Sequence, residues 1–143
     1  MRLTRIVSDL HEWNQQVINE FRENDGRVGG QFAGAPMLLL HHRGRRSGAD
    51  RINPMMYQPA GDGWAIFASA AGADKHPDWY LNIVDGPDVS IEVGTDTVPV
   101  RARDLPRSKR DPIWETQKQD YPGFAEYEKK TDRVIPVVML EPR

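Results

Sequence analysis

With 143 residues and a formal net charge of −2, the chain is long enough for one domain with a real core and has no general attraction for polyanions. It holds no cysteine, which excludes disulfides, thiol nucleophiles and thiolate metal sites, and its 28% charged and 38% hydrophobic residues fit a soluble globular protein. The longest apolar run is far short of the ~20 residues that cross a bilayer, and the first residues lack a signal-peptide pattern, so a cytoplasmic protein without an integral membrane segment is expected.

Asp9 and Glu12 form a capping-box-like start. Leu10, Trp13, Val17, Ile18 and Phe21 then recur at helical spacing, which predicts an amphipathic helix over 9–24, ended by Asn24-Asp25-Gly26. A glycine-rich loop follows over 26–35. Strands are expected at 36–42, 51–59, 64–69, 88–93, 97–104 and 134–141, with Gly61-Asp62-Gly63 and Gly94-Thr95-Asp96 as hairpin turns. Short helices are expected near 77–85, 108–119 (Ser108 as N-cap) and 123–131. Turns this tight cannot host parallel crossovers. The chain is therefore read as one domain over 1–143, mainly β with flanking helices (α+β), its antiparallel barrel spanning 36–142. Trp13, Phe21 and Trp114 are expected to face inward.

The turn Arg43-Gly44-Arg45-Arg46-Ser47-Gly48, with Arg51 close behind, sets four arginines against Asp50 alone. Glycines at 44 and 48 allow positive φ and leave backbone N–H groups for an anion, while guanidinium forks and the Ser47 hydroxyl match phosphate oxygens. A solvated surface turn and a nucleic-acid patch are the competing readings. The second needs a broad basic face, and elsewhere the basic residues alternate with acids, so one compact phosphate fits better and no nucleic-acid partner is expected.

Other chemistry is sparse. His41 and His42 are adjacent on a strand and point to opposite faces, and no metal-ligand spacing occurs, so no metal is expected. Ser47 lacks a nucleophile elbow. The small residues from Ala68 to Ala73, before a helix starting near Pro77, would let a flat ligand approach the backbone. Trp79 and Tyr80 are either core or stacking groups. Tyr121, Phe124 and Tyr127 recur at spacings of three and are either a core stripe or a pocket wall.

Gly29-Gly30-x-Phe32, Pro36 to Leu40, the basic turn, Arg51-x-Asn53-Pro54, the segment Ala68 to Asn82 and Tyr121 to Pro136 together closely resemble the deazaflavin-dependent nitroreductase family of actinobacteria. The resemblance runs from the first helix to Pro142 and implies a split β-barrel of the FMN-binding type carrying coenzyme F420. It implies that Arg45, Arg46, Ser47, Gly48 and Arg51 hold the cofactor phosphate. Asn53, Pro54, Met55, Met56, Ala68 and Ser69 would lie along the ring, with Trp79 also on the cofactor. Lys75 and His76 would lie near its anionic side chain, and Tyr121, Phe124 and Tyr127 over the substrate side. Two positions depart from the family pattern: Ala70 stands where lysine is frequent, and Phe124 where nitroimidazole-activating members have tyrosine.

The implied activity is hydride transfer from the reduced deazaflavin to a small-molecule acceptor such as a quinone, an activated enone or a nitroaromatic. A proton would come from solvent, Ser69 or Tyr127, and peripheral membrane contact is compatible with such acceptors. The alternatives are the same barrel carrying flavin mononucleotide (FMN), whose phosphate would fit the same clamp, and a non-catalytic cofactor- or lipid-binding protein.

Overall fold

The computed structural model describes residues 2–29 and 34–143, with side chains described from Glu12 onward. Gly30 and Phe32 of the glycine-rich loop and the Leu10 side chain lie outside the described residues. Helix α1 spans Arg2–Glu23, starting seven residues before the expected cap. The reason is in the sequence: Arg2 to Glu23 contains no glycine or proline, and Leu3, Ile6 and Val7 extend the helical spacing upstream. Its C-terminal end is where expected, with Asp25 and Gly26 at positive φ.

Seven strands follow, β1 (Met37–Arg43), β2 (Asp50–Met56), β3 (Gln58–Ala60), β4 (Gly63–Phe67), β5 (Asp88–Val93), β6 (Asp96–Asp104) and β7 (Val137–Pro142). Helix α2 (Asp78–Asp85) joins β4 to β5, and α3 (Arg107–Asp120) and α4 (Gly123–Lys129) join β6 to β7. Pro106, not Ser108, is the α3 N-cap. All pairings are antiparallel, in the order β2-β1-β5-β6-β7-β4-β3. The one expected strand over 51–59 is broken at Tyr57, whose N–H bonds Pro36 O at 3.1 Å. The break has a topological effect. β2 and β3 end the strand order on opposite sides yet are joined by Tyr57 alone, so the sheet must curl until its two edges meet.

Alternation sorts the side chains between the two faces of this curled sheet. Leu38, Leu40, Ile66, Ile91, Val100, Val138 and Leu140 fill the interior, which Tyr80 and Ile83 of α2 close at one end. Met37 and Leu39 turn outward under Val17, Ile18 and Phe21 of α1. Ala65, Phe67 and Val137 turn outward under Trp114 of α3, with Phe124 of α4 packed alongside. Arg22 fastens α1 to β5 through two bonds to the Glu92 carboxylate, at 3.1 and 2.8 Å. This bond, the larger cause, and the one from His41 hold Glu92 below the usual carboxylate range.

Phe21 and Trp114 are buried as expected, but Trp13 is 40% exposed. It shares the helical face of Val17 and Phe21, yet it is not among the described buried residues of the cluster under α1, which are Val17, Ile18 and Phe21 on the helix. Phe21→Ala should therefore cost about 3–5 kcal/mol of unfolding free energy, and Trp13→Ala less than half of that. Denaturant titration of the two variants checks the order.

Candidate functional site

The basic turn between β1 and β2 is closed by its own backbone. Gly44 N–H donates to Ala49 O and Gly48 N–H to Gly44 O, each at 2.9 Å, and Gly48 takes φ +70°. The glycine amides thus fold the turn instead of facing a ligand, and Gly44 does not need positive φ. Ala49 N–H donates to Ser47 Oγ at 3.2 Å, which leaves the hydroxyl proton of Ser47 to donate elsewhere. The N–H groups of Arg46 and Ser47 have no protein acceptor among the described residues.

The four arginines divide into two kinds. Arg43 meets Asp50 at 3.4 Å, and Arg45 meets Asp78 at 3.6 Å. Arg46 and Arg51 make no ion pair among the described residues, and both line a cleft of about 500 Å³ with Arg45, Ser47, Asn53 and Trp79. Six of the predicted cofactor residues therefore converge from β2, the turn and the start of α2. A larger cleft of about 840 Å³ shares Arg45 and Arg51 with it, but there these two with Arg43 and Arg143 are largely offset by Asp50, Asp85 and Asp88. In the smaller one Asp78 is the one acid among the described residues that faces Arg45, Arg46 and Arg51. The smaller cleft has the chemistry of an anion site.

Behind it runs a buried polar chain that fixes Arg45. The Asn82 carboxamide oxygen accepts from Arg45 N–H at 3.1 Å and from Arg45 Nη1 at 2.9 Å. That orients its NH2 toward His42 Nδ1, 3.1 Å away, so Nδ1 must be the acceptor. His42 is then neutral with its proton on Nε2, which donates to Asn53 Oδ1 at 2.6 Å. Burial is the main cause that lowers the His42 pKa from its ordinary 6.5; the Asn53 bond raises it, and the Arg51 and His41 charges lower it further. His41 points to the other face, onto Glu92, so the two histidines do diverge.

The other predicted residues fall in three places. Asn53 and Met55 share the interior face with Leu40 and Leu38, their register partners, whereas Pro54 and Met56 sit opposite Leu39 and Met37 on the α1 face. Ala68, Ser69 and His76 gather around Arg133, a residue not singled out from the sequence. Its guanidinium donates to Ala68 O, Ser69 O and Ala73 O at 2.9, 2.9 and 3.1 Å and to His76 Nδ1 at 3.0 Å. Lys75 is exposed on the same loop. Trp79 is half-buried, lining the cleft and edge-on to Tyr80.

The aromatic triad does not share one helix. Tyr121 caps the C-terminus of α3, while Phe124 and Tyr127 lie on α4 with ring centroids 5.5 Å apart. Phe124 also packs on Phe67 and Trp114, at 5.6 and 6.1 Å. Helix α4 rests against the 70–72 turn, where a Cβ on Gly72 would come within 2.8 Å of Tyr127 O.

The family is decided by comparison with known proteins. Residues 13–142 match the family model described as F420H(2)-dependent quinone reductase. The chain belongs to that family. A quinone reductase of this description from Mycobacterium tuberculosis is 35% identical over 129 residues, covering 86% of this chain and 85% of the relative. A solved structure of an F420-H2 dependent reductase is 38% identical, with TM-score 0.68, covering 74% of this chain and 94% of that one. A FAD-binding protein from Mesorhizobium loti, 15% identical with TM-score 0.52 over 76% of this chain and 80% of its own, shares the fold alone. The curled antiparallel sheet with flanking helices is the FMN-binding split barrel.

Protonation of His42 would set a second donor against the Asn82 NH2. A depressed folded-state pKa means that the neutral imidazole's contribution is complete above the ordinary 6.5 and is lost as pH falls through the lowered value. His76 is shifted the same way by burial and then by Arg133. The stability of the intact protein should therefore fall as pH drops from about 7 to about 5, and His42→Gln should flatten part of that slope. Thermal melts of both proteins across this range read it directly.

Proposed function

We propose that the protein is a quinone reductase that works with reduced coenzyme F420, the cofactor phosphate being held between the 43–51 turn and the start of α2. The observation that carries this reading is that, among the described residues, the guanidinium groups of Arg46 and Arg51 have no ion pair and the N–H groups of Arg46 and Ser47 beside them have no acceptor. Each can add a charge-assisted hydrogen bond to a phosphate oxygen, of about 1.5–3 kcal/mol. Four such donors on one short turn fit one phosphate and not an extended polymer.

The bound cofactor supplies a hydride from C5 of its reduced ring. The chain's own residues do the rest. Asn53 and Met55 offer the interior wall for the ring, with Ala68 and Ser69 as the close-approaching backbone, and Lys75 and His76 serve the anionic side chain. The hydroxyls of Ser69 and Tyr127 are the protein's proton donors to the acceptor, with solvent as the third source. Tyr121, Phe124 and Tyr127 shape the acceptor side, which favours flat, electron-poor molecules. A quinone taking up hydride and one proton leaves as the quinol. Activated enones fit the same description. Nitroaromatics fit less well, because Phe124 has no hydroxyl to stabilise charge growing on nitro oxygens.

Among the described residues no helix is long and apolar enough to cross a membrane. We infer a cytoplasmic enzyme that meets lipid-soluble quinones by peripheral contact with the bilayer.

Arg46→Ala should weaken deazaflavin binding by about ten- to a hundredfold, with little change in melting temperature because the side chain is exposed. FMN should bind the unsubstituted protein less tightly than the deazaflavin. Fluorescence titrations at one ionic strength test both. Unchanged affinity in Arg46→Ala would sink the phosphate clamp, and equal affinity for the two cofactors would favour a flavin enzyme.

A further inference from the structure

Between β4 and α2 the backbone does something that alanines avoid. Ala70, Ala71 and Gly72 take φ of +48°, +53° and +84°, three successive left-handed residues. Only the glycine does so without steric cost. Such a turn persists only when its surroundings over-determine it.

Arg133, between α4 and β7, provides that constraint. Its bonds to Ala68 O and Ser69 O anchor the chain before the turn, and its bond to Ala73 O anchors it after. The guanidinium makes no ion pair among the described residues; Asp74 is the acid that acts on it through space. Its own backbone is fixed too, its N–H donating to Thr131 Oγ1 at 3.1 Å. The remaining donor contact, to His76 Nδ1, has a definite chemical meaning. Arginine offers only donors, so Nδ1 is unprotonated and His76 carries its proton on Nε2. The imidazole lies against Tyr80, centroids 4.7 Å apart, which limits its rotation.

We propose that Arg133 is the positioning residue of this site: by clasping the carbonyls of Ala68, Ser69 and Ala73 and Nδ1 of His76, it holds the left-handed turn and thereby aims Ser69 and presents His76 as an Nε2–H donor. The proposal rests on the reading that Ser69 and His76 belong to the reductase site, and it adds a residue that touches neither cofactor nor acceptor. Because Ser69 and His76 also meet the cofactor, loss of the clasp weakens cofactor binding to a degree. The phosphate clamp lies on a different loop, however, and turnover, which needs the exact placement of the 68–76 loop, falls further.

The test uses Arg133→Gln and Arg133→Lys in the full chain, read in two ways. Without cofactor, nitrogen NMR of the histidine rings should show His76 as the Nε2–H tautomer in the unsubstituted protein and as a tautomer mixture in Arg133→Gln. With reduced deazaflavin saturating, kcat for quinone reduction should fall about tenfold or more, by a clearly larger factor than the deazaflavin Kd rises. Arg133→Lys should be intermediate, because an ammonium cannot bracket the turn as a planar fork does. Adding Ala71→Gly, which removes left-handed strain, should recover part of the lost kcat, and Arg133→Lys with Ala71→Gly carries the same readouts if the glutamine variant does not fold. An unchanged His76 tautomer with unchanged kcat would overturn the proposal. So would equal losses in kcat and cofactor affinity that Ala71→Gly does not relieve, the mark of a residue that only stabilises. Failure of the underlying reductase reading is distinguishable, since it appears as absence of deazaflavin binding by the unsubstituted protein.

Discussion

The candidate site depends on one buried carboxamide. Asn82 lies on α2, 5% exposed, and its two polar ends face different elements: the oxygen takes both a backbone and a side-chain donor from Arg45, and the nitrogen meets His42 on β1. His42 in turn reaches Asn53 on β2. Turn, helix and two strands are thus set relative to one another by a chain of bonds in which each donor has one acceptor. Removing one member leaves a buried polar group unsatisfied, at about 1–3 kcal/mol. The arrangement also fixes a charge. Arg45 is committed to Asn82 and Asp78, so among the described residues Arg46 and Arg51 are the turn's cations without an ion pair.

Seen across the molecule, arginines are sorted by whether they are satisfied. Arg22 and Arg101 are bidentate to carboxylates, and Arg110 is buried with its Nε on Ile135 O and its guanidinium over Trp114. Arg133 spends its donors on backbone carbonyls. These hold the fold or a loop in place. Against that background Arg46 and Arg51, whose guanidiniums have no ion pair among the described residues, are the unbalanced charge that a phosphate would neutralise. Pre-organisation of this kind lowers the ordering cost of binding, because the turn is already closed by its glycine amides before a ligand arrives.

Much of the fold is legible in the chain because apolar runs of strand length, tight glycine turns and helical periodicity are local signals. What they do not carry is how elements meet. The break at Tyr57 is silent in a run that reads as one strand over 51–59, yet it closes the barrel. Trp13 has the spacing of a core residue, yet it is 40% exposed, which spacing alone does not tell. In the site, the basic turn is legible because charge and glycine are dense there. The split of Asn53 and Met55 from Pro54 and Met56 needs the strand register. Arg133 is illegible for a different reason: its partners are backbone carbonyls 60 to 65 positions away, which leave no side-chain pattern to read.

The central claim is that the basic turn, β2 and the start of α2 form one cofactor site. The most direct measurement is a titration of isotope-labelled protein with coenzyme F420, following every backbone amide by NMR. The account predicts that the largest shifts fall on Arg46, Ser47, Asn53 and Trp79, with a second group in the 68–76 loop. Shifts concentrated instead around Arg143 and Asp88, in the larger cleft, would contradict it.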